Sequence, residues 1–301
     1  MIIDTHAHLG DTLFGKSITF RQNVVKRDHH NYLERLEEND NIPYPDFLRT
    51  PENVLSESIL NEEQARNATA TLQNMQASLK RNKVDQVWVL PVLPNVGFEE
   101  LLAASKLDSR IVPFTGIDFD LGPACVDKVL DDVKNGAAGL KVHPILQRRP
   151  MGDHLVLKTL DVWQQTKKPV IFHTYCYQYY HPEQAHMNKP EYGSNKMFVD
   201  LVRCFPKITM IAAHAGGPFD YRELLEGKEL QNLYVDVSFQ PAEVIKVFIR
   251  QFGAERVLFG SDWPWGCQET PIRLINRIAK DDQSITRLLF YENALRILKG
   301  G

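Results

Sequence analysis

The feature that most constrains this chain is a regular alternation of short apolar runs with amphipathic stretches. Runs rich in β-branched and aromatic residues occur at 2–6, 84–90, 111–117, 138–143, 169–174, 208–213, 233–237 and 256–260. Each has the length and composition of a strand buried on both faces of a parallel sheet. Between them, apolar residues recur at helical spacing. Val126, Val129, Leu130 and Val133 form one stripe, Val156, Leu160 and Trp163 another, and Val244, Phe248 and Phe252 a third. A further helix is expected from Asn61 as N-cap, with Ala65, Ala68, Leu72, Met75 and Leu79 on its buried side. Eight such strand–helix units predict an α/β fold, the (β/α)₈ TIM barrel, as a single domain over residues 1–301. An open doubly wound sheet would call for a glycine-rich turn after the first strand, and none is present there.

One stretch breaks the rhythm. Residues 10–58 are charged and interrupted by Pro43, Pro45 and Pro51, with a short helix expected at 24–36. A connection of that length reads as an insertion or lid after strand 1. Hydrophobic residues at 43% and charged residues at 24% suit a globular protein with a large core. A net charge of −3 offers no electrostatic reason for a nucleic-acid or membrane partner. The four cysteines are scattered with no C-x-x-C, and the N-terminus has no basic-then-apolar leader pattern, so a cytoplasmic location is expected. Assembly into a homo-oligomer is left open.

A barrel of this type carries its chemistry at the C-terminal ends of its strands. Strand 1 ends in Asp4-Thr5-His6-Ala7-His8, and side-chain alternation puts both histidines on one face. Ten histidines in 301 residues give about 0.3 such pairs by chance, so the pair alone says little. The other ends decide. Strand 4 ends in Lys141-Val142-His143, strand 5 in His173, strand 6 in His214-Ala215-Gly216-Gly217, and strand 8 in Gly260-Ser261-Asp262-Trp263-Pro264. A lone histidine after an apolar strand is usually structural, but five on one rim point to a metal. The bland readings are that Asp262 caps a helix, His143 bonds a loop, Lys141 forms a buried ion pair, and Tyr175, Tyr177, Tyr179 and Tyr180 are loop packing.

Together these motifs resemble the amidohydrolase superfamily, closest to the amidohydrolase-2 branch, which includes aminocarboxymuconate-semialdehyde decarboxylase-like enzymes, lactonases and hydratases. The resemblance spans nearly the whole chain, ending in Glu292-Asn293-Ala294-Leu295-Arg296-Ile297-Leu298, and is weakest over 10–58. It implies that His6, His8, His173 and Asp262 hold one divalent ion, most often zinc, with manganese or another divalent ion as alternatives. It makes His214 a general base or electrostatic partner. A ligating carboxylate can also accept the proton of a bound water, which would give Asp262 two roles. Lys141, His143 and Trp263 would contact the substrate. Some members bridge two metals with a carboxylated strand-4 lysine. Here His143 is expected to lie between Lys141 and the rim, which favours a single metal.

The leading function is hydrolysis of a small carboxylate-bearing lactone, ester or amide by a metal-activated water. The alternative is non-oxidative decarboxylation, with Lys141, His143 and Arg222 as candidate grips on carboxylates. A TatD-like nuclease fits poorly, because Gly116-Ile117-Asp118-Phe119-Asp120 lacks that group's glutamate. A non-catalytic metal-binding relic is the remaining class, and no expected ligand has been lost.

Overall fold

The computed structural model describes residues 1–13, 19–22, 60, 63–180, 182–280 and 282–300. Parallel strands run in sequence order: β1 (Ile3–Ala7), β2 (Gln86–Val89), β3 (Ile111–Pro113), β4 (Thr115–Gly116), β5 (Leu140–Val142), β6 (Val170–His173), β7 (Met210–Ala213), β8 (Leu233–Asp236) and β9 (Val257–Leu258). Every one overlaps an expected run. The expected third strand is present as β3 and β4, which serve its two neighbours in turn. β3 pairs with β2, and after Phe114 the chain pairs with β5. Counted as one strand, they make eight. The ring closes where Thr5 N–H donates to the Phe259 carbonyl (2.9 Å), Asp262 N–H to that of His6 (2.8 Å) and His8 N–H to that of Trp263 (2.7 Å). The fold is the expected (β/α)₈ barrel.

Alternation along each strand sorts the core. Ile3, Trp88, Leu90, Phe114, Ile171, Ile211 and Leu258 share the cluster that fills the barrel. Their neighbours Val170, Phe172, Met210 and Ala212 face the helices instead. Leu140 and Val142 also face the helices, so Lys141 between them points inward. The outer layer includes α1 (Leu72–Asn82), α2 (Phe98–Ser105), α3 (Cys125–Lys134), α4 (His154–Trp163), α5 (Asn195–Cys204), α6 (Ala242–Phe252) and α7 (Glu269–Ala279). The stripes on α3, α4 and α6 are those read from spacing, with Val129, Leu160 and Phe248 fully buried. Burying side chains of that size stabilises by about 1.5–3 kcal/mol each, an upper estimate because unfolded chains are already partly compact.

The helix expected from Asn61 is two pieces. Residues 63–67 are helical, the chain turns at Ala68, and α1 restarts with Thr71 accepting from Asn74 N–H. Thr71 competes as a local cap within what reads as one stripe. Asn61 itself and the helix expected at 24–36 lie outside the described residues, as does most of the stretch read as an insertion. Among the described residues, no helix is long and apolar enough to cross a membrane.

Candidate metal centre

The strand ends meet in one cavity with empty space of ≈ 490 Å³, mouth included, bordered by His6, His8, His143, His173, His214 and Asp262. His6 Nδ1–H donates to Asp236 Oδ2 at 2.9 Å, and His8 Nδ1–H donates to the Leu90 carbonyl at 2.8 Å. Each bond fixes a tautomer, so both Nε2 atoms carry lone pairs. Those lone pairs face each other at 3.2 Å, and Asp262 Oδ1 lies 3.2 Å from one and 3.3 Å from the other. None of the three atoms can donate to another, and Asp262 Oδ1 is buried with no hydrogen-bond partner. A tetrahedral ion with ligands at about 2.0–2.1 Å has ligand–ligand edges of about 3.3 Å. The three atoms therefore fit a zinc-sized cation in donor type, protonation and spacing.

A second chain of bonds orders the remaining histidines. Asp236 Oδ1 accepts from Ser238 Oγ–H, whose oxygen accepts from His214 Nδ1–H at 2.8 Å. His214 Nε2 is thereby the acceptor for His173 Nδ1–H at 3.2 Å, and His173 Nε2 accepts from Tyr179 OH at 3.2 Å. His173 does not join the close group formed by His6, His8 and Asp262, but it borders the same cavity. His143 stacks on His173 with ring centroids 4.1 Å apart, and so stands aside from the centre. Lys141 is not screened by it as expected, since its Nζ reaches within 3.4 Å of His6 Nε2. Nor does Lys141 form the buried ion pair considered above: among the described residues no carboxylate lies within salt-bridge distance of it.

The electrostatics follow from burial. Loss of hydration lowers Lys141 to about 8, His8 to about 4 and His214 to about 3, and takes His143 and His173 well below the usual imidazole range. At neutral pH those imidazoles are therefore neutral, as metal ligands must be. Burial pushes Asp236 and Asp262 up, but the facing imidazoles outweigh it. They hold Asp236 at about 2 and Asp262 well below the ordinary carboxylate range.

Local strain converges here too. Tyr175, His214, Phe239 and Asp262 border the cavity with φ of 85°, 59°, 60° and 56°. Non-glycine residues keep such angles only where surrounding bonds over-determine them. His214 N–H donates to Asp236 Oδ1 at 3.2 Å, and its carbonyl accepts from Gln240 Nε2 at 2.6 Å. Glycine is needed at 217, where φ is 78° and a Cβ would lie 2.4 Å from the Tyr175 ring.

Other expectations are corrected as well. Trp263 does not border the cavity: the turn at Asp262 sends its indole into the apolar cluster of Ala7, Leu9 and Met75, where it is fully buried. The indole beside the site is Trp265, edge-on to His8 at 5.0 Å. Arg222 is exposed beside Tyr221 and does not line the cavity. Tyr175 and Tyr179, read as loop packing, border the cavity, and Tyr177 donates to Glu63 Oε1 at 3.1 Å. Sequence reading missed Asp236, Ser238 and Glu63. The alternation Tyr234-Val235-Asp236-Val237 did carry a signal for the first, because it turns a carboxylate into the barrel.

A search of curated sequences found no match. An uncharacterised TIM-barrel protein, Bb4693 from Bordetella bronchiseptica, superposes with a TM-score of 0.67 at 16% identity, covering 99% of this chain and 98% of that one. A probable 2-pyrone-4,6-dicarboxylic acid hydrolase from Acinetobacter baumannii gives 0.60 at 14% identity, covering 99% of each chain. The 5-carboxyvanillate decarboxylase LigW from Sphingomonas paucimobilis gives 0.63 at 13%, covering 99% and 98%. At such identities the likeness shows the fold. The family model for amidohydrolases (Amidohydro_2) matches residues 3–300, and this chain therefore belongs to the amidohydrolase family.

Proposed function

We propose that the protein is a metal-dependent hydrolase of a small carboxylate-bearing lactone, ester or amide. The observation that carries this reading is the set of three proton-free donors, His6 Nε2, His8 Nε2 and Asp262 Oδ1, held 3.2–3.3 Å apart beside an open cavity. His173 Nε2 is the fourth ligand in this account, released from Tyr179. A divalent ion held there, zinc before manganese, supplies Lewis acidity towards a carbonyl oxygen and towards water.

The chain's own groups do the rest. Asp262 accepts the proton of the attacking water on Oδ2, its other oxygen being turned to the ligand group. His214, neutral and 4.0 Å from that oxygen, is its electrostatic partner and orients His173 through Nε2. Lys141 is the cation that meets the substrate's carboxylate, and His143 lies alongside on the wall. The family and its structural neighbours, hydrolase and decarboxylase among them, favour an enzyme over a relic. A single domain over residues 1–301 and a cytoplasmic location complete the proposal.

One observation favours decarboxylation as the second reading. The walls formed by Val92, Leu146, Tyr175, Tyr179, Phe239 and Trp265 are apolar or aromatic, and such walls strip water from a carboxylate. Turnover of lactones and esters by zinc-loaded protein in heavy-oxygen water separates the two. Hydrolysis puts the label in the product carboxylate; carbon dioxide release from a carboxylate-bearing substrate, with no label in the organic product, would establish the lyase instead.

A further inference from the structure

We propose that Asp4 is a positioning residue of the metal centre: its carboxylate pins a bulge in β1 and the turn at Ser261, and so aims His6, His8 and Asp262 at one point. The inference rests on the metal-centre reading above and concerns how those ligands are held.

Strict alternation from Ile3 would turn the wrong side chains inward. Ile3 belongs to the cluster that fills the barrel, so Thr5 and Ala7 would follow it and both histidines would face the helices. The pairing with β2 shows why they do not. Ile3 and Asp4 lie opposite Gln86 and Val87, but Ala7 lies opposite Val89, so β1 uses three residues where β2 uses two. The extra residue makes a β-bulge and reverses the parity of the strand. Ala7 accordingly packs with Met75 and Leu79 on the helix side, while His6 and His8 border the cavity. Asp4, ahead of the bulge and opposite Val87, points to the helix side, unlike the histidines two and four residues on.

There the fully buried carboxylate accepts from four donors. Oδ1 accepts from His6 N–H at 3.2 Å, across the bulge, and from Ser261 N–H at 3.0 Å. Oδ2 accepts from Ser261 Oγ–H at 2.6 Å and from Gln268 Nε2–H at 2.9 Å. Gln268, just ahead of α7, accepts in turn from Ser78 Oγ–H of α1 at 3.0 Å. One carboxylate oxygen is therefore shared by the backbones of the two segments that carry the ligands. Ser261 is held at both its N–H and its hydroxyl, which fixes the residue before Asp262 and its left-handed φ of 56°. Asp262 N–H completes the seam by donating to the His6 carbonyl at 2.8 Å. Ligand atoms have to be held to within about 0.5 Å, and Asp4 joins the two segments whose relative placement decides this.

Zinc competition against a chelator, run on folded protein, tests this without turnover. Asp4→Ala should weaken zinc binding about tenfold or more. Asp4→Asn keeps an oxygen for the two backbone donors, and its amide can face Ser261 Oγ once that hydroxyl turns to the His6 carbonyl, 3.5 Å away. It should stay within about threefold of wild type. Gln268→Met cuts the bonds to Asp4 and Ser78 but spares the backbone donors, so it should lower the urea midpoint and leave zinc affinity within about threefold. If Asp4→Ala does not fold, Asp4→Ser takes its place with the same expected loss, because the short hydroxyl serves the neighbouring His6 N–H but does not reach Ser261. A folded Asp4→Ala or Asp4→Ser protein with wild-type zinc affinity overturns the proposal. So does an equal loss in Asp4→Asn, which would make charge the cause, or in Gln268→Met, which would make it general loosening. Wild-type protein that holds no zinc brings down the metal-centre reading, and the proposal with it.

Discussion

Replacing Asp236 with Asn should weaken zinc binding about 10- to 100-fold while the barrel stays folded. The carboxylate serves two sides at once. Oδ2 accepts from His6 Nδ1–H at 2.9 Å, and Oδ1 accepts from His214 N–H, Ser238 N–H and Ser238 Oγ–H. Asparagine has a single oxygen. If that oxygen keeps the three donors, the amide NH₂ faces His6 Nδ1, which must then give up its proton and carry it on Nε2, where the metal has to bind. The opposite flip sets the amide hydrogens against three donors in a fully buried place. Tenfold in affinity is about 1.4 kcal/mol, so the expected loss is about 1.4–2.7 kcal/mol. Competition for zinc against a chromophoric chelator reads it directly, with near-ultraviolet circular dichroism to confirm that the fold is kept. A folded variant that binds zinc as tightly as wild type would refute the claim that Asp236 fixes the His6 tautomer.

Two further outcomes are expected. Ser238→Ala removes the acceptor of His214 Nδ1–H, so kcat on a substrate found by the lactone and ester screen should fall about tenfold or more with zinc content unchanged; an unaltered kcat would refute the relay. Away from the site, Arg110 donates to both oxygens of Asp108 and holds that carboxyl at about 2 against an ordinary 3.8, with partial burial opposing. A folded-state value below the unfolded one means stability that is present above pH 3.8 and lost as pH falls through about 2. After solvent screening the pair contributes about 1 kcal/mol or less. The difference between wild type and Asp108→Asn in urea melts should therefore be constant above pH 5 (about one unit over the ordinary value) and shrink in acid, and a difference that grew in acid would contradict this.

Much of this architecture was legible in the sequence because strand periodicity is local. The run at 208–213 fixes both the burial of Ile211 and the arrival of His214 at the rim, with no knowledge of what lies opposite. The same logic placed His6, His8, His173 and Asp262 around one cavity. What local pattern does not determine is how the chain turns after each strand. Asp262 in the left-handed region swings Trp263 into the core and brings Trp265 to the site, so the indole nearer in sequence was the wrong one. Glu63 gives no signal in the sequence because its partners, Tyr177 and Trp265, are 114 and 202 residues away. Asp236 was passed over as a strand residue, although its inward parity could be read; only its bond to His6 needed the fold.

The claim on which the account depends is that His6, His8 and Asp262, completed by His173, hold one divalent ion. Elemental analysis of purified protein, stripped with a chelator and reloaded with zinc, tests it most directly. The account predicts close to one tightly held ion per chain, lost in His6→Ala. A steady value near two would mean a bridged pair with carboxylated Lys141 in place of the single centre. Protein that carries no metal and gains none from zinc, manganese or cobalt would contradict the account outright.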